Sequence, residues 1–288
     1  MAAREATHAG SWYSRDGARL AEELDGWLGE AARTCPPARA LIAPHAGYAY
    51  SGAVAAWAYA HVDPTAVRRV FLLGPSHHVY TPRCALTGCA EYRTPLGSLK
   101  VDAEASDALR RTGEFEEMTK KADEEEHSLE MHLPYIVHVM RGREFGLVPV
   151  LVGALSEESE AKYGKLFSQY LTDPENLFVF SSDFCHWGRR FRFTPFSEKG
   201  KQIHQSIEQL DRQGMALVEA QDAAGFAAYL REFGNTICGR HPIAILLHAL
   251  QACGSVEHKV KFVRYAMSSL CRSINDSSVS YASAVVHV

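Results

Sequence analysis

Six side chains able to bind a metal or move a proton stand just past apolar runs or just ahead of a helical one: His45, His77, His78, Asp183, His186 and Cys238. His45 follows the break at Pro44 in Leu41–Tyr50. His77 and His78 follow Gly74-Pro75, Asp183 and His186 lie in Ser181–Trp187, and Cys238 lies in Asn235–Pro242. Imidazole and thiolate favour Zn, Cu or Fe, with thiolate drawing toward Cu(I), whereas histidine with carboxylate and open positions suits non-haem Fe(II). Two histidines and a cysteine would make a three-ligand site with a vacant position. Each residue alone also has a plainer reading. With 14 histidines in the chain, a lone one is a satisfied core or surface group, and a lone cysteine packs as a small hydrophobe. His8, His61, His138, His204, His248, His258 and His287 are read in that plain way, and Cys185 is expected to turn into packing.

Convergence of these groups requires strands that end together. Ligands of open α/β sheets sit outside the carboxyl ends of the strands, and the runs preceding the candidates read as such strands. Arg39–Ala43, Arg69–Leu73, Gly146–Gly153 and Asn176–Ser181 are continuous apolar segments, as expected for strands covered on both faces. Between them lie helical patterns. Ala18–Arg33 repeats Leu20, Leu24, Trp27 and Leu28 on one face; Ser51–His61 starts with Ser51 as N-cap; and Ala103–Arg111 and Glu157–Leu171 follow. Further helices are expected over Gly200–Leu217, Ala223–Glu232 and Pro242–Ala252, then β-like tails at His258–Ala266 and Val279–Val288. Cys84–Val101 reads as a β-rich hairpin region, and Lys120–Glu126 as a solvated loop or helix start. His127–Met140 has helical spacing that Pro134 should kink or reset. Without repeat or linker, residues 1–288 are expected to form one α/β domain with a largely parallel central sheet flanked by helices.

Composition narrows the function. A chain of 288 residues with 47% hydrophobic and 22% charged residues is globular, and a net charge of −4 without a basic cluster excludes a nucleic-acid footprint. No apolar run is long enough to span a bilayer and no secretory pattern opens the chain, so a cytoplasmic protein is expected. The seven cysteines never form CxxC, which argues for reduced thiols and against a zinc ribbon. Phosphate loops, the GxSxG elbow, HExxH and GxGxxG are absent. The nearest imitation is His127-Ser128-Leu129-Glu130-Met131-His132, whose Glu130 reads as a surface helix residue or a group behind a ligand. A Cys/His hydrolase built from Cys238 and His186 also stays open, because such partners need only spatial proximity.

Seven ordered segments carry a family resemblance: THAGSWY (Thr7–Tyr13), APHAGYAYSG (Ala43–Gly52), LGPSHHV (Leu73–Val79), DEEEHSLEMHLPY (Asp123–Tyr135), PVLVGALSE (Pro149–Glu157), SSDFCHWG (Ser181–Gly188) and NTICGRHPI (Asn235–Ile243). They resemble the Memo family, mediators of ErbB2-driven cell motility, through nearly the whole chain. The resemblance implies a fold shared with class III extradiol dioxygenases, which hold iron with two histidines and a glutamate. It selects His45 and His77 as metal ligands and puts Cys238 where the glutamate would be, so one copper or iron ion is implied and ring cleavage is not. His186 matches the acid/base histidine, with Asp183 beside it. It further implies a cytosolic redox and signalling protein that binds a phosphorylated receptor tyrosine kinase peptide and acts on cytoskeletal signalling proteins. Trp12, Tyr48, Tyr50 and His78 are then candidates for a peptide or substrate cleft. An active metal-dependent oxidoreductase acting on a small aromatic or on dioxygen is the alternative, and a metal-free peptide module is a weaker third.

Overall fold

Apolar runs without polar alternation need cover on both faces, and the computed structural model, which describes residues 2–196, 202–254 and 256–288, supplies it. Ala40–Ala43, Asn176–Ser181, Arg69–Pro75 and Gly146–Val152 lie side by side in that order and run parallel. Antiparallel strands flank them. Ser278–His287 pairs with Ala40–Ala43 and carries Lys259–Met267 and His186–Trp187, while Cys84–Thr87 pairs with Gly146–Val152. Phe115–Met118, parallel to Cys84–Thr87, completes this sheet of nine strands among the described residues. The expected α/β arrangement is thus parallel at the centre of its sheet and mixed toward the edges.

Side chains alternate across each central strand, so one strand feeds two cores. Ile42, Phe71, Leu73, Phe178 and Phe180 pack under the helices Glu157–Leu171, Ile203–Glu219, Ala223–Phe233 and Arg240–Ala252. Leu41, Val70, Leu72, Leu177 and Val179 face Gly17–Glu30, Tyr48–Tyr59 and Leu133–Val139 on the other side. None of the helices is long and apolar enough to cross a membrane among the described residues.

Several local expectations are revised. Ser51 is not an N-cap: the helix begins at Tyr48, whose N–H donates to the Trp12 carbonyl at 2.9 Å, and Ser51 Oγ donates back to Ala46 O at 2.7 Å. Gly200 and Lys201, from the expected helix over Gly200–Leu217, lie outside the described residues, and the helix runs Ile203–Glu219. In the β-rich region, Cys84–Thr87 joins the main sheet, and Glu91–Thr94 with Gly97–Lys100 forms the hairpin, turning at Gly97 with φ +134°. Ala3–Arg4 adds to it as a third strand. Pro134 does reset a helix start: His127–Glu130 ends, and Leu133–Val139 begins with the proline in its first turn.

The largest revision concerns charge. Lys120 does start a helix, Lys120–Glu125, with Lys120, Lys121 and Glu125 exposed, but Asp123 and Glu126 are buried, and Glu130 is fully buried rather than on a surface helix. The reason is Arg4, itself buried, whose guanidinium reaches Asp123 Oδ1 at 3.1 Å, Glu130 Oε2 at 2.7 Å and the Glu126 carbonyl at 3.0 Å. Asp123 and Glu130 meet that cation with their carboxylates and Glu126 with its carbonyl, across the break between two short helices. Tyr13 and His8 also bond Glu130, so the N-terminal segment is clamped against the loop that leads into the site. Removing one partner of a buried ion cluster strands the others. Arg4→Ala should therefore lower unfolding free energy by about 3–5 kcal/mol. Truncating the exposed Arg19, paired with Glu23, should cost under about 1 kcal/mol. Urea denaturation of the two variants checks the contrast.

Candidate functional site

The parallel strands end at one edge, and the loops after them are tied together there. Pro44 stops Ala40–Ala43, and the His45 N–H donates to Asp183 Oδ1 at 2.9 Å, joining the loop after one strand to the loop after its neighbour. Past Arg69–Pro75, His77 is gripped twice by Glu126: its backbone N–H donates to Oε2 at 2.7 Å and its ring Nδ1 to Oε1 at 2.8 Å. Burial would raise the Glu126 carboxyl, but the His77 ring and the N–H groups of His77 and Ser128 outweigh it and hold it at about 2. Glu126 is therefore an acceptor only, so His77 Nδ1 carries a proton and Nε2 is the ring nitrogen left for an ion. The ring nitrogens of His45, His77 and His127 that could bind an ion all lie within 4.8 Å of one another. His127 stacks on His77 with ring centroids 4.3 Å apart and lies 4.6 Å from Trp12.

The His45 tautomer follows from Ser181. Ser181 Oγ lies 2.8 Å from the Ser128 carbonyl, 2.6 Å from His45 Nδ1 and 2.8 Å from His132 Nε2. A carbonyl can only accept, so the serine proton goes to Ser128, and both imidazoles must donate to the serine oxygen. His45 Nδ1 thus bears hydrogen and Nε2 is bare. His132, protonated on Nε2, accepts from Tyr59 at Nδ1 over 2.9 Å. Burial lowers His45 well below its ordinary range, with His77 and His127 adding to it, and burial alone puts His132 at about 3. Burial and His77 put His127 at about 3 as well. Neutral imidazoles with the second nitrogen anchored have the form of metal ligands.

Cys238 Sγ lies 3.2 Å from His45 Nε2 and accepts the Asp183 N–H at 3.2 Å. It stands outside the group of three mutually near imidazoles. Burial, with Asp183 adding, pushes the thiol well above its usual value. Burial also raises the Asp183 carboxyl, opposed by His186. His186 Nδ1 donates toward the Phe184 and Thr236 carbonyls at 2.9 and 3.1 Å, and Nε2 has no hydrogen bond among the described residues. The imidazole bonded to Cys238 is that of His45, so the Cys238/His186 hydrolase pairing is not formed.

A cleft of about 430 Å³ lies over these groups, lined by Trp12, His45, His77, His127, Asp183, His186, Arg190 and Phe191. Of the four cleft candidates, Trp12 is in this wall. Tyr48 is buried, donates to the Met131 carbonyl at 2.8 Å and borders a neighbouring hollow with Trp12 and Trp27. Tyr50 is 65% exposed and outside the cleft lining, and His78 faces another hollow with Thr7, His8 and Lys120. The sequence reading passed over Glu126, His127, His132, Ser181, Arg190 and Phe191. The one signal, for His127 and His132, was the spacing of His127–His132, which matches no zincin pattern.

An α/β sheet that gathers imidazoles and a thiol at the carboxyl edge of its parallel strands defines a dioxygenase-like fold carrying a candidate metal centre. The Memo-like protein family model matches residues 4–285, and the chain belongs to the Memo family. It is 56% identical to Protein MEMO1 of Xenopus laevis over 291 residues, covering 99% of this chain and 98% of that one. Against Protein MEMO1 of Homo sapiens the identity is 53% over 289 residues, covering 99% and 97%. Against the memo-1 homolog of Caenorhabditis elegans it is 47%, covering 99% and 83%. A crystal structure of an uncharacterized protein from Escherichia coli K12 superposes with a TM-score of 0.52 at 11% identity, covering 84% of this chain and 98% of that one, a likeness of fold alone.

The buried neutral His132 gives a pH signature. Its folded value is depressed to about 3 from 6.5, so between those values the unfolded chain binds the extra proton. The stability of the metal-free protein should therefore fall as pH drops from about 6.5 toward 3, and His132→Gln should flatten that slope. Urea midpoints measured across this window check it.

Proposed function

We propose that this chain is a cytosolic metal-binding redox and signalling protein that holds one copper or iron ion through His45, His77 and Cys238. The observation that carries the reading is the pair of anchored imidazoles, each donating Nδ1–H to a fixed acceptor and leaving Nε2 as the nitrogen for an ion. The Cys238 sulfur, 3.2 Å from His45 Nε2, is near the roughly 3.5 Å that separates nitrogen and sulfur on one tetrahedral ion. His127 adds a further imidazole beside His77. The ion would supply one-electron exchange and Lewis acidity, and the thiolate tilts the donor set toward soft, redox-active metals. The chain's own residues hold the imidazole tautomers, and His186 Nε2 can accept or return a proton in the cleft.

Trp12 and Phe191 offer aromatic wall and Arg190 a guanidinium, a combination suited to a phosphotyrosine peptide. A phosphorylated receptor tyrosine kinase peptide of the ErbB2 kind is the partner implied by the family, with cytoskeletal signalling proteins downstream. The second reading, an oxidoreductase acting on a small aromatic or on dioxygen, is favoured by His186 Nε2, which has no hydrogen bond among the described residues, beside the imidazole group. Oxygen consumption with a catechol at enzyme-like turnover would select it.

Anaerobic titration of chelator-free protein should show one Cu(I) or Fe(II) per chain, with binding much weakened in Cys238→Ser. Glu126→Gln, which takes the charge from behind His77, should weaken it about 10- to 100-fold. No binding of either metal to the wild-type protein would contradict the proposal.

A further inference from the structure

Behind the proposed ligands runs a hydrogen-bonded line, His45, Ser181, His132 and Tyr59, whose inner end, Tyr59, ligation itself does not need. All four are buried. Its inner end is chemically unlike the tyrosines around it. Tyr48 donates to the Met131 carbonyl and Tyr135 to the Gly52 carbonyl, and neither oxygen can keep a phenol proton. Tyr13 donates to Glu130, a carboxylate already committed to the Arg4 guanidinium and to His8. Tyr59 donates to a neutral imidazole nitrogen, His132 Nδ1, which takes a proton to become imidazolium. Its ring also stacks on Tyr135, with centroids 4.7 Å apart and planes 7° apart.

We propose that Tyr59 is a redox-active tyrosine, giving one electron to the oxidised metal centre while its phenol proton passes to His132 Nδ1. This rests on the metal site proposed above. The oxidant is a hydroperoxide such as hydrogen peroxide. Its O–O bond breaks as two electrons arrive, one from the reduced ion and one from Tyr59. With two protons from solvent, hydrogen peroxide leaves as two waters. The ion ends one oxidation state higher, Tyr59 as a neutral phenoxyl radical and His132 as imidazolium, so atoms and charge balance. Drawing the second electron from Tyr59 leaves the Cys238 sulfur unoxidised, off the path to sulfenic acid. The burial that keeps water from Tyr59 also shields the radical.

The test mixes anaerobic protein of measured Fe(II) or Cu(I) content with hydrogen peroxide, freezes it within milliseconds and records electron paramagnetic resonance spectra. A phenoxyl signal that narrows with ring-deuterated tyrosine is expected. It should be lost in Tyr59→Phe and retained in Tyr135→Phe, and it should form more slowly in D2O. A signal undiminished in Tyr59→Phe, or no signal from metal-loaded wild type, would overturn the proposal while leaving the metal site standing. Protein that takes up no metal would overturn both. Melting curves of Tyr59→Phe separate the alternatives further: a lowered melting temperature with an unchanged radical signal would make the Tyr59–His132 bond structural only.

Discussion

A serine hydroxyl has one proton to give and two lone pairs to fill, and at Ser181 all three are committed inside the core. The Ser128 carbonyl takes the proton, and His45 and His132 fill the lone pairs. Because the carbonyl has no alternative role, the direction of every neighbouring hydrogen bond follows, and with it the bare Nε2 of His45. Ser181 is the last residue of a central parallel strand, while Ser128 and His132 come from the helical segments that pack over that strand's end. The sheet edge therefore fixes a protonation pattern as well as positions. In a dry core an unpaired polar group costs enough to make that pattern rigid.

A second buried arrangement does for His77 what Ser181 does for His45. Glu126 orients the ring and the backbone of His77 together, but Glu126 is itself held in place by the Arg4 guanidinium on its carbonyl. Arg4 is joined to Asp123 and Glu130, and Glu130 binds His8 and Tyr13 in the segment that presents Trp12 to the cleft. The Trp12 carbonyl then receives the first N–H of the helix that follows His45. One buried ion cluster thus links a ligand orienter, a cleft wall and a helix start, which explains why an expensive set of buried charges sits beside the site.

The positions of His45, His77 and Asp183 were legible in the sequence because apolar runs broken by Pro44, Gly74-Pro75 or polar Ser182 announce strand ends, and strand ends in such sheets share an edge. The burial of Asp123, Glu126 and Glu130 was not. A run of acids reads as solvated unless its cation is known, and that cation is Arg4, more than a hundred residues away in sequence. His127 was hidden for the same reason, since its place depends on how Glu126 enters the core. Tyr48 was a candidate for the cleft wall because aromatic rings supply rigid contact area; as the first residue of its helix it instead turns inward, and its hydroxyl finds the Met131 carbonyl. Local pattern located the elements, whereas pairing across the chain decided which polar groups went inside.

The central claim is that anchored imidazoles and the Cys238 thiolate share one ion. X-ray absorption spectra of the Cu(I)-loaded protein test it most directly, because sulfur and imidazole scatter at different distances. The account predicts imidazole scattering together with one sulfur near ~2.3 Å, the length a metal–thiolate bond takes at zinc, and loss of that sulfur in Cys238→Ser. A shell of nitrogen alone in the wild-type protein would contradict it and move the third ligand to His127.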